Sequence, residues 1–256
     1  MRRSLFYNPL DVIERLALMI ARKRRMSRLK NTAGQNLKLG HVDSLELLEL
    51  IREELALQRD PVIYDIGANI GTWTLLAKSI FPAAAIHAFE PLKSHIDEFL
   101  SSCNGLSNVH IHAYGVGNKE SSELINVSSF SDSSSLLKAT PLEFEQYGIK
   151  ELRQETVMVK RIEDLINAQQ IPVPDIIKLD IQGFELEAIK GVGDYLAKVK
   201  YIICEVSFQQ FYYGQASFLE IASYLNTHGF DIYAFGNNVP SGKRLYQADL
   251  LFKRSI

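Results

Sequence analysis

The chain has 256 residues, 46% hydrophobic and 23% charged, which excludes a disordered chain and leaves room for one α/β domain plus an appendage. Its formal charge of −2 hides an asymmetry: residues 1 to 30 hold nine Arg or Lys against only Asp11 and Glu14, so the remainder is acidic. Two cysteines, Cys103 and Cys204, exclude a disulfide framework, and no apolar run reaches the roughly 20 residues that span a bilayer, so with no signal-peptide pattern the expected location is the cytoplasm.

Residues 10 to 29 place Ile13, Leu16, Ala17, Ile20 and Ala21 at helical spacing, a greasy stripe ahead of a basic end. Such a helix makes peripheral contact with a membrane or an acidic partner, or it packs its stripe on the main domain with its arginines in water, which is the commoner arrangement. After a loop at 31 to 40, the capping-box form Asp43-Ser44-Leu45-Glu46 predicts a second helix through Leu48, Ile51 and Leu55. Residues 1–60 therefore read as an N-terminal helical segment and 61–256 as the main domain.

From Pro61 onward strand-like and helix-like runs alternate, the pattern of parallel strands covered by helices on both faces. The expected strands are 62–66, 85–90, 109–114, 176–181 and 201–206, with 231–235 and 246–252 closing the chain. Helices are expected at 72–80, from Pro91 through Leu100, at 184–190 and at 217–227. The Ser-rich stretch around 119–140 interrupts this rhythm. It is followed by a helix-like 141–147 and a strand-like 156–160, and an insertion of this kind is a lid, a binding loop or a flexible excursion.

In an open parallel sheet, ligands bind beyond the carboxyl ends of the strands, where the strand order reverses. The polar residues closing the expected strands are Asp65, Glu90, Asp180 and Glu205. Asp65 leads into the turn Gly67-Ala68-Asn69-Ile70-Gly71, which aims the amides of a helix N-terminus at a ligand. Glu90 follows 25 positions after Asp65, suited to accept both hydroxyls of a ribose, or to serve as a helix-start acid. The turn lacks the G-x-G-x-x-G form of a diphosphate site, which favours a nucleotide-like cofactor without a diphosphate.

The stretches Tyr64-Asp65-Ile66-Gly67-Ala68-Asn69-Ile70-Gly71, Ala88-Phe89-Glu90-Pro91, Gly115-Val116-Gly117-Asn118 and Ile177-Lys178-Leu179-Asp180-Ile181-Gln182-Gly183-Phe184-Glu185 resemble the FkbM family of S-adenosylmethionine-dependent methyltransferases. Lys190-Gly191, Cys204-Glu205-Val206 and Ala248-Asp249-Leu250-Leu251-Phe252 fit the same pattern. The resemblance covers about residues 60 to 253, and its most specific part is K-x-D-x-Q-G-x-E. Gly115 departs from it, because the family more often has Ala there. The resemblance implies a Rossmann-like, seven-stranded class I methyltransferase sheet with one of the last two strands antiparallel. It also implies Gly67, Asn69 and Gly71 against the methionine part of the cofactor, Glu90 on its ribose and the Gly115-Val116 turn beside the adenine. The reaction it implies is O-methylation, with sugars and polyketides among the acceptors.

Methyl transfer to a hydroxyl requires alignment and removal of a proton. Asp180, Glu185 and Glu205 are the candidate catalytic carboxylates. Two or three of them would suit a hard cation such as Mg²⁺, or Asp180 serves as the base alone with Lys178 tuning it or acting as a structural ion-pair partner. The six histidines read as structural. Phe208, Phe211, Tyr212 and Tyr213 read as core or interface, or as the wall of an acceptor pocket. The competing readings are a nicotinamide-dependent oxidoreductase and a non-catalytic cofactor-binding protein that docks through its basic helix. The acidic strand ends argue against nucleic acid as substrate.

Overall fold

The computed structural model describes residues 9–37, 42–55, 60–241 and 244–255. The N-terminal segment contains α1 (Pro9–Met26), a 3-10 turn at Ser27–Leu29 and α2 (Val42–Glu54). Then follow β1 (Val62–Ile66), α3 (Thr72–Ile80), β2 (Ala85–Phe89), α4 (Lys93–Ser102) and β3 (Val109–His112). The insertion supplies β4 (Gly115–Val116), β5 (Ser121–Ser128), a 3-10 turn at Ser131–Ser133, α5 (Pro141–Tyr147) and β6 (Glu151–Lys160). The chain closes with α6 (Ile162–Asn167), β7 (Ile176–Leu179), α7 (Glu185–Gly191), a 3-10 segment at Gly193–Lys198, β8 (Tyr201–Ser207), α8 (Phe218–Thr227), β9 (Phe230–Ser241) and β10 (Arg244–Arg254).

Seven strands form one sheet in the order β3-β2-β1-β7-β8-β10-β9. The first five are mutually parallel, and β10 runs antiparallel to both of its neighbours. The order reverses between β1 and β7, which opens a crevice at their carboxyl ends. β1, β7 and β8 are continuous Val/Ile/Leu-rich runs because helices cover both faces. On one face Tyr64, Leu179, Ile189, Ile202 and Leu225 pack with α6, α7 and α8. On the other, Leu45, Leu48 and Ile51 of α2 join Leu76 of α3 and Ile63, Ile86 and Ile203 of the sheet. α2 is thus built into the core of the main domain.

Several expectations are corrected. The stripe of α1 does not pack on the domain: Val12, Ile13, Leu16, Met19 and Ile20 are all exposed. That helix is tethered by its basic end, through ion pairs of Arg25 with Glu46 and Arg28 with Glu49, and by buried Leu29. α2 begins one residue before Asp43, whose side chain lies outside the described ones. Pro91 is not in the first turn of a helix; it precedes Leu92, and α4 starts at Lys93. β3 ends at His112, because Gly115 and Val116 turn aside to pair with β6. The insertion forms a second sheet, β4-β6-β5, over which β6 is twice as long as expected. Its outer half lies in solvent, with Leu152 exposed among Glu151, Arg153 and Gln154, so alternation marks only the end where Val157 and Val159 are buried. Among the described residues no helix is long and apolar enough to cross a membrane.

Candidate active site

The turn after β1 is shaped by its own neighbours. A Cβ on Gly67, at φ +82°, would stand 2.0 Å from the carbonyl oxygen of Asp180, and one on Gly71 would meet Cys103 Sγ at 2.7 Å and Phe99 at 2.9 Å. Both glycines therefore let chain segments close on one another: Gly67 seats the end of β7, and Gly71 seats α4. Asn69 takes φ +47°, which Asn tolerates. The turn is tied to β2 by the amides of Gly67 and Ala68, which donate to Phe89 O at 3.0 and 3.1 Å.

Glu90 is 5% exposed. Its Oε2 accepts the Asn69 amide at 3.0 Å, its Oε1 accepts the Leu92 amide at 2.9 Å, and His95 Nδ1 lies 3.4 Å from Oε1. The carboxylate thus holds the two turns together while lining a cavity of about 70 Å³ with Gly67, Asn69, Gly115, Val116 and Phe184. Oε2, with one partner, keeps a second acceptor direction, whereas Oε1 already faces both Leu92 N and His95 Nδ1.

Asp65 does not line this space. It is fully buried, accepts the Thr74 hydroxyl at 2.7 Å, and faces Lys178 across the β1–β7 register. Lys178 Nζ lies 3.4 Å from Asp65 Oδ1 and 3.6 Å from Asp180 Oδ2, and donates to Gly67 O at 3.1 Å. Burial works to lower its pKa, but Asp65 and then Asp180 outweigh that and hold the ammonium at about 12. Asn69, Trp73, Lys178, Asp180 and Asp249 border a second cavity of about 510 Å³. Two of its lining side chains, Asn69 through Oδ1 and Trp73 through Nε1, have a buried polar atom with no hydrogen-bond partner.

Asp180 and Glu205 come together, and Gln182 joins them: its Nε2 donates to Asp180 Oδ1 at 2.9 Å and to Glu205 Oε2 at 3.1 Å. Gln247 Nε2 also donates to Glu205 Oε2, at 3.2 Å, and Gln247 Oε1 accepts the Tyr147 hydroxyl at 3.1 Å. Burial first, then the Asp180, Asp249 and Glu185 carboxylates, push Glu205 well above the usual carboxylate range, against the opposing pull of Lys178. Asp180, Gln182 and Glu205 border a third cavity of about 360 Å³ whose far wall includes Glu143, Tyr147, Phe211 and Tyr212. The Tyr212 hydroxyl donates to Glu143 Oε1 at 2.5 Å and lies 3.1 Å from Gln182 Oε1.

Glu185 stands apart from these spaces. Its Oε1 accepts the amides of Ile181 at 3.0 Å and Gly183 at 3.1 Å, fixing the turn in which Gln182 takes φ +55°. Burial raises it to about 7, against the backbone hydrogen bonds that favour its charge. Among the described residues no group of three or more His, Cys, Asp or Glu side chains is arranged to hold a metal ion.

The insertion roofs the whole arrangement. Asp132 borders all three cavities, and the Ser135 hydroxyl donates to Gln182 O at 2.7 Å. Of the aromatic group, Phe211 and Tyr212 line the third cavity, Phe208 packs on Phe218, and Tyr213 is exposed. Sequence reasoning passed over Gln182, although it stands inside the most specific block, and over Asp132, Tyr147 and Gln247, which no local pattern marks.

The family profile described as "Methyltransferase FkbM domain" matches residues 65–232. A hexuronic acid methyltransferase, AglP, of Haloferax volcanii is 27% identical over 165 residues, covering 63% of this chain and 61% of that protein. Methyltransferase 1 of Beauveria bassiana is 28% identical over 148 residues, 53% of this chain and 59% of that one. The 2-O-methyltransferase NoeI of Sinorhizobium fredii is 24% identical, covering 61% of this chain and 67% of that one. The chain thus spans about three fifths of the length of the first two.

Proposed function

The chain belongs to the FkbM methyltransferase family, and on that premise we propose that it transfers a methyl group from S-adenosylmethionine to a hydroxyl of a saccharide or similar secondary metabolite. The observation that carries this reading is the junction of cavities: the chamber against Glu90 and the chamber against Tyr212 share Asp132, Asp180 and Gln182. A donor in one and an acceptor in the other would meet at a carboxylate. Family membership displaces the nicotinamide oxidoreductase alternative. The names of the Haloferax and Sinorhizobium relatives, a hexuronic acid and a 2-O methyltransferase, support a sugar hydroxyl.

The residues present fit the donor. Glu90 Oε2 has an acceptor direction left for a ribose hydroxyl, and Val116, Leu92 and Phe184 give apolar walls for a base. The buried Asn69 Oδ1 lacks a donor and the buried Trp73 Nε1 lacks an acceptor, a need that an ammonium and a carboxylate on one amino-acid end would meet. Bound S-adenosylmethionine would supply an electrophilic methyl group on a sulfonium sulfur. Asp180 takes the proton of the acceptor hydroxyl, and Gln182 holds Asp180 in place while tying it to Glu205. Glu205, biased toward its protonated form, hydrogen-bonds the acceptor instead of competing as base. Lys178 and Glu185 act by position: the first fixes Asp180 and the Gly67 turn, the second fixes the backbone on either side of Gln182.

Calorimetric titration with S-adenosylmethionine and a methyl-transfer assay test this. Glu90→Ala should weaken donor binding at least tenfold, and Asp180→Asn should remove turnover while leaving donor affinity unchanged. Undiminished turnover in Asp180→Asn, or undiminished binding in Glu90→Ala, defeats the corresponding assignment.

A further inference from the structure

The third cavity has a one-sided charge. Its described wall carries the carboxylates Asp132, Glu143, Asp180 and Glu205, and no Lys, Arg or His. Lys178, the cation next to Asp180, borders the neighbouring chamber instead; it is 6% exposed and also engaged by Asp65 and Gly67 O. An anionic group entering this space would find no counter-charge and would be desolvated among like charges. What the wall offers in addition is uncharged: the amides of Gln182 and Gln247 and the Tyr147 hydroxyl, backed by the buried rings of Phe211 and Tyr212. Amides donate to and accept from ring hydroxyls, and carboxylates accept from them.

Resting on the methyltransferase reading above, we infer that the acceptor is an uncharged sugar and that this chamber discriminates against acidic sugars. A carboxylate about 6 Å from one of the wall carboxylates, at an effective dielectric of about 20, is disfavoured by roughly 100-fold. Glu205 in its protonated form would reduce this repulsion only at its own position, leaving Asp180 and Asp132.

The experiment compares methyl β-D-glucopyranoside, -galactopyranoside and -mannopyranoside with their C6-oxidised uronides, reading kcat/KM for methylated product by mass spectrometry, with S-adenosylmethionine binding checked separately by calorimetry. The expected result is turnover of at least one neutral hexoside with a hexoside-to-uronide ratio near 100. Ile149, half-buried on the wall and on a loop, gives the second arm. Ile149→Lys should raise the uronide-to-hexoside ratio at least tenfold relative to Ile149→Met. A uronide turned over as well as its hexoside, no turnover of any sugar pair by protein that binds the donor, or a ratio unmoved by Ile149→Lys would each overturn the inference. Absence of donor binding defeats the donor assignment and this inference with it.

Discussion

Replacing Lys178 by Met tests whether the site is held together by a buried ion pair. Lys178 is 6% exposed and Asp65 is fully buried, with Nζ 3.4 Å from Asp65 Oδ1. At that distance and an effective dielectric of about 20, their attraction is about 5 kcal/mol, most of it offset by the desolvation of both groups. Removing only the cation keeps the offset and loses the attraction, because Asp65 then retains only the Thr74 hydroxyl. The expected destabilisation is about 3–5 kcal/mol, which for a chain of this size lowers Tm by about 6–20 °C. Asp180 adds little, since its side chain is 37% exposed and water replaces the lost partner. Urea denaturation followed by the fluorescence of Trp73, the single tryptophan, gives the measurement. Lys178→Met with Asp65→Asn, which deletes both charges, should recover at least half of the loss. A single variant costing less than about 1 kcal/mol, or a double variant no more stable than the single, refutes the reasoning.

Gly67→Ala should cost more than about 3 kcal/mol, because a Cβ 2.0 Å from Asp180 O must push β1 and β7 apart, whereas Gly105→Ala, at φ +80° with nothing within 4 Å, should cost only the roughly 1–2 kcal/mol of the left-handed backbone; equal losses in urea denaturation contradict this. His87 and His112, 3.0 Å apart through ring nitrogens, are both held down to about 4, by burial first, so their neutral forms belong to the folded state. Stability from this pair is present above pH 6.5 and lost as pH falls toward 4, by roughly 1 kcal/mol per pH unit after discounting for their coupling and partial exposure. His87→Phe with His112→Leu should flatten that slope whatever its absolute stability, and an unchanged slope counts against the assignment. Glu185 runs the other way: its folded pKa of about 7 lies above the unfolded one, so stability is present below pH 4.5 and lost as pH rises through 7. Glu185→Gln keeps an oxygen for the Ile181 and Gly183 amides and should gain on the parent by up to about 3 kcal/mol between pH 4.5 and 8, which denaturation at the two pH values decides.

The parts of the site written in contiguous sequence were legible. The glycine turn, Glu90 and the block from Lys178 to Glu185 announce themselves because a strand, its closing acid and the following helix start are neighbours in the chain. Their individual roles were harder to read. Asp65 and Glu185 carry a carboxylate as Asp180 does, and only burial and the two amides on Glu185 Oε1 separate a structural carboxylate from one that borders a cavity. Tyr147 and Gln247 lie 100 positions apart and meet only because β10 pairs with β8 and the insertion folds over both. The exposed stripe of α1 has the same periodicity as a packed one, so the pattern predicted a helix and left its partner undetermined.

Lys178 sits where the strand order reverses, between β1 and β7, and its contacts to Asp65 and Gly67 O pin the two halves of the sheet to each other. The crevice floor is therefore braced across the β1–β7 gap, and the insertion forms its roof. Asp132 overhangs all three chambers, so the segment around it is a roof common to the donor and acceptor sides proposed above. A substitution at Asp132 therefore reaches all three chambers at once, whichever of them a ligand occupies.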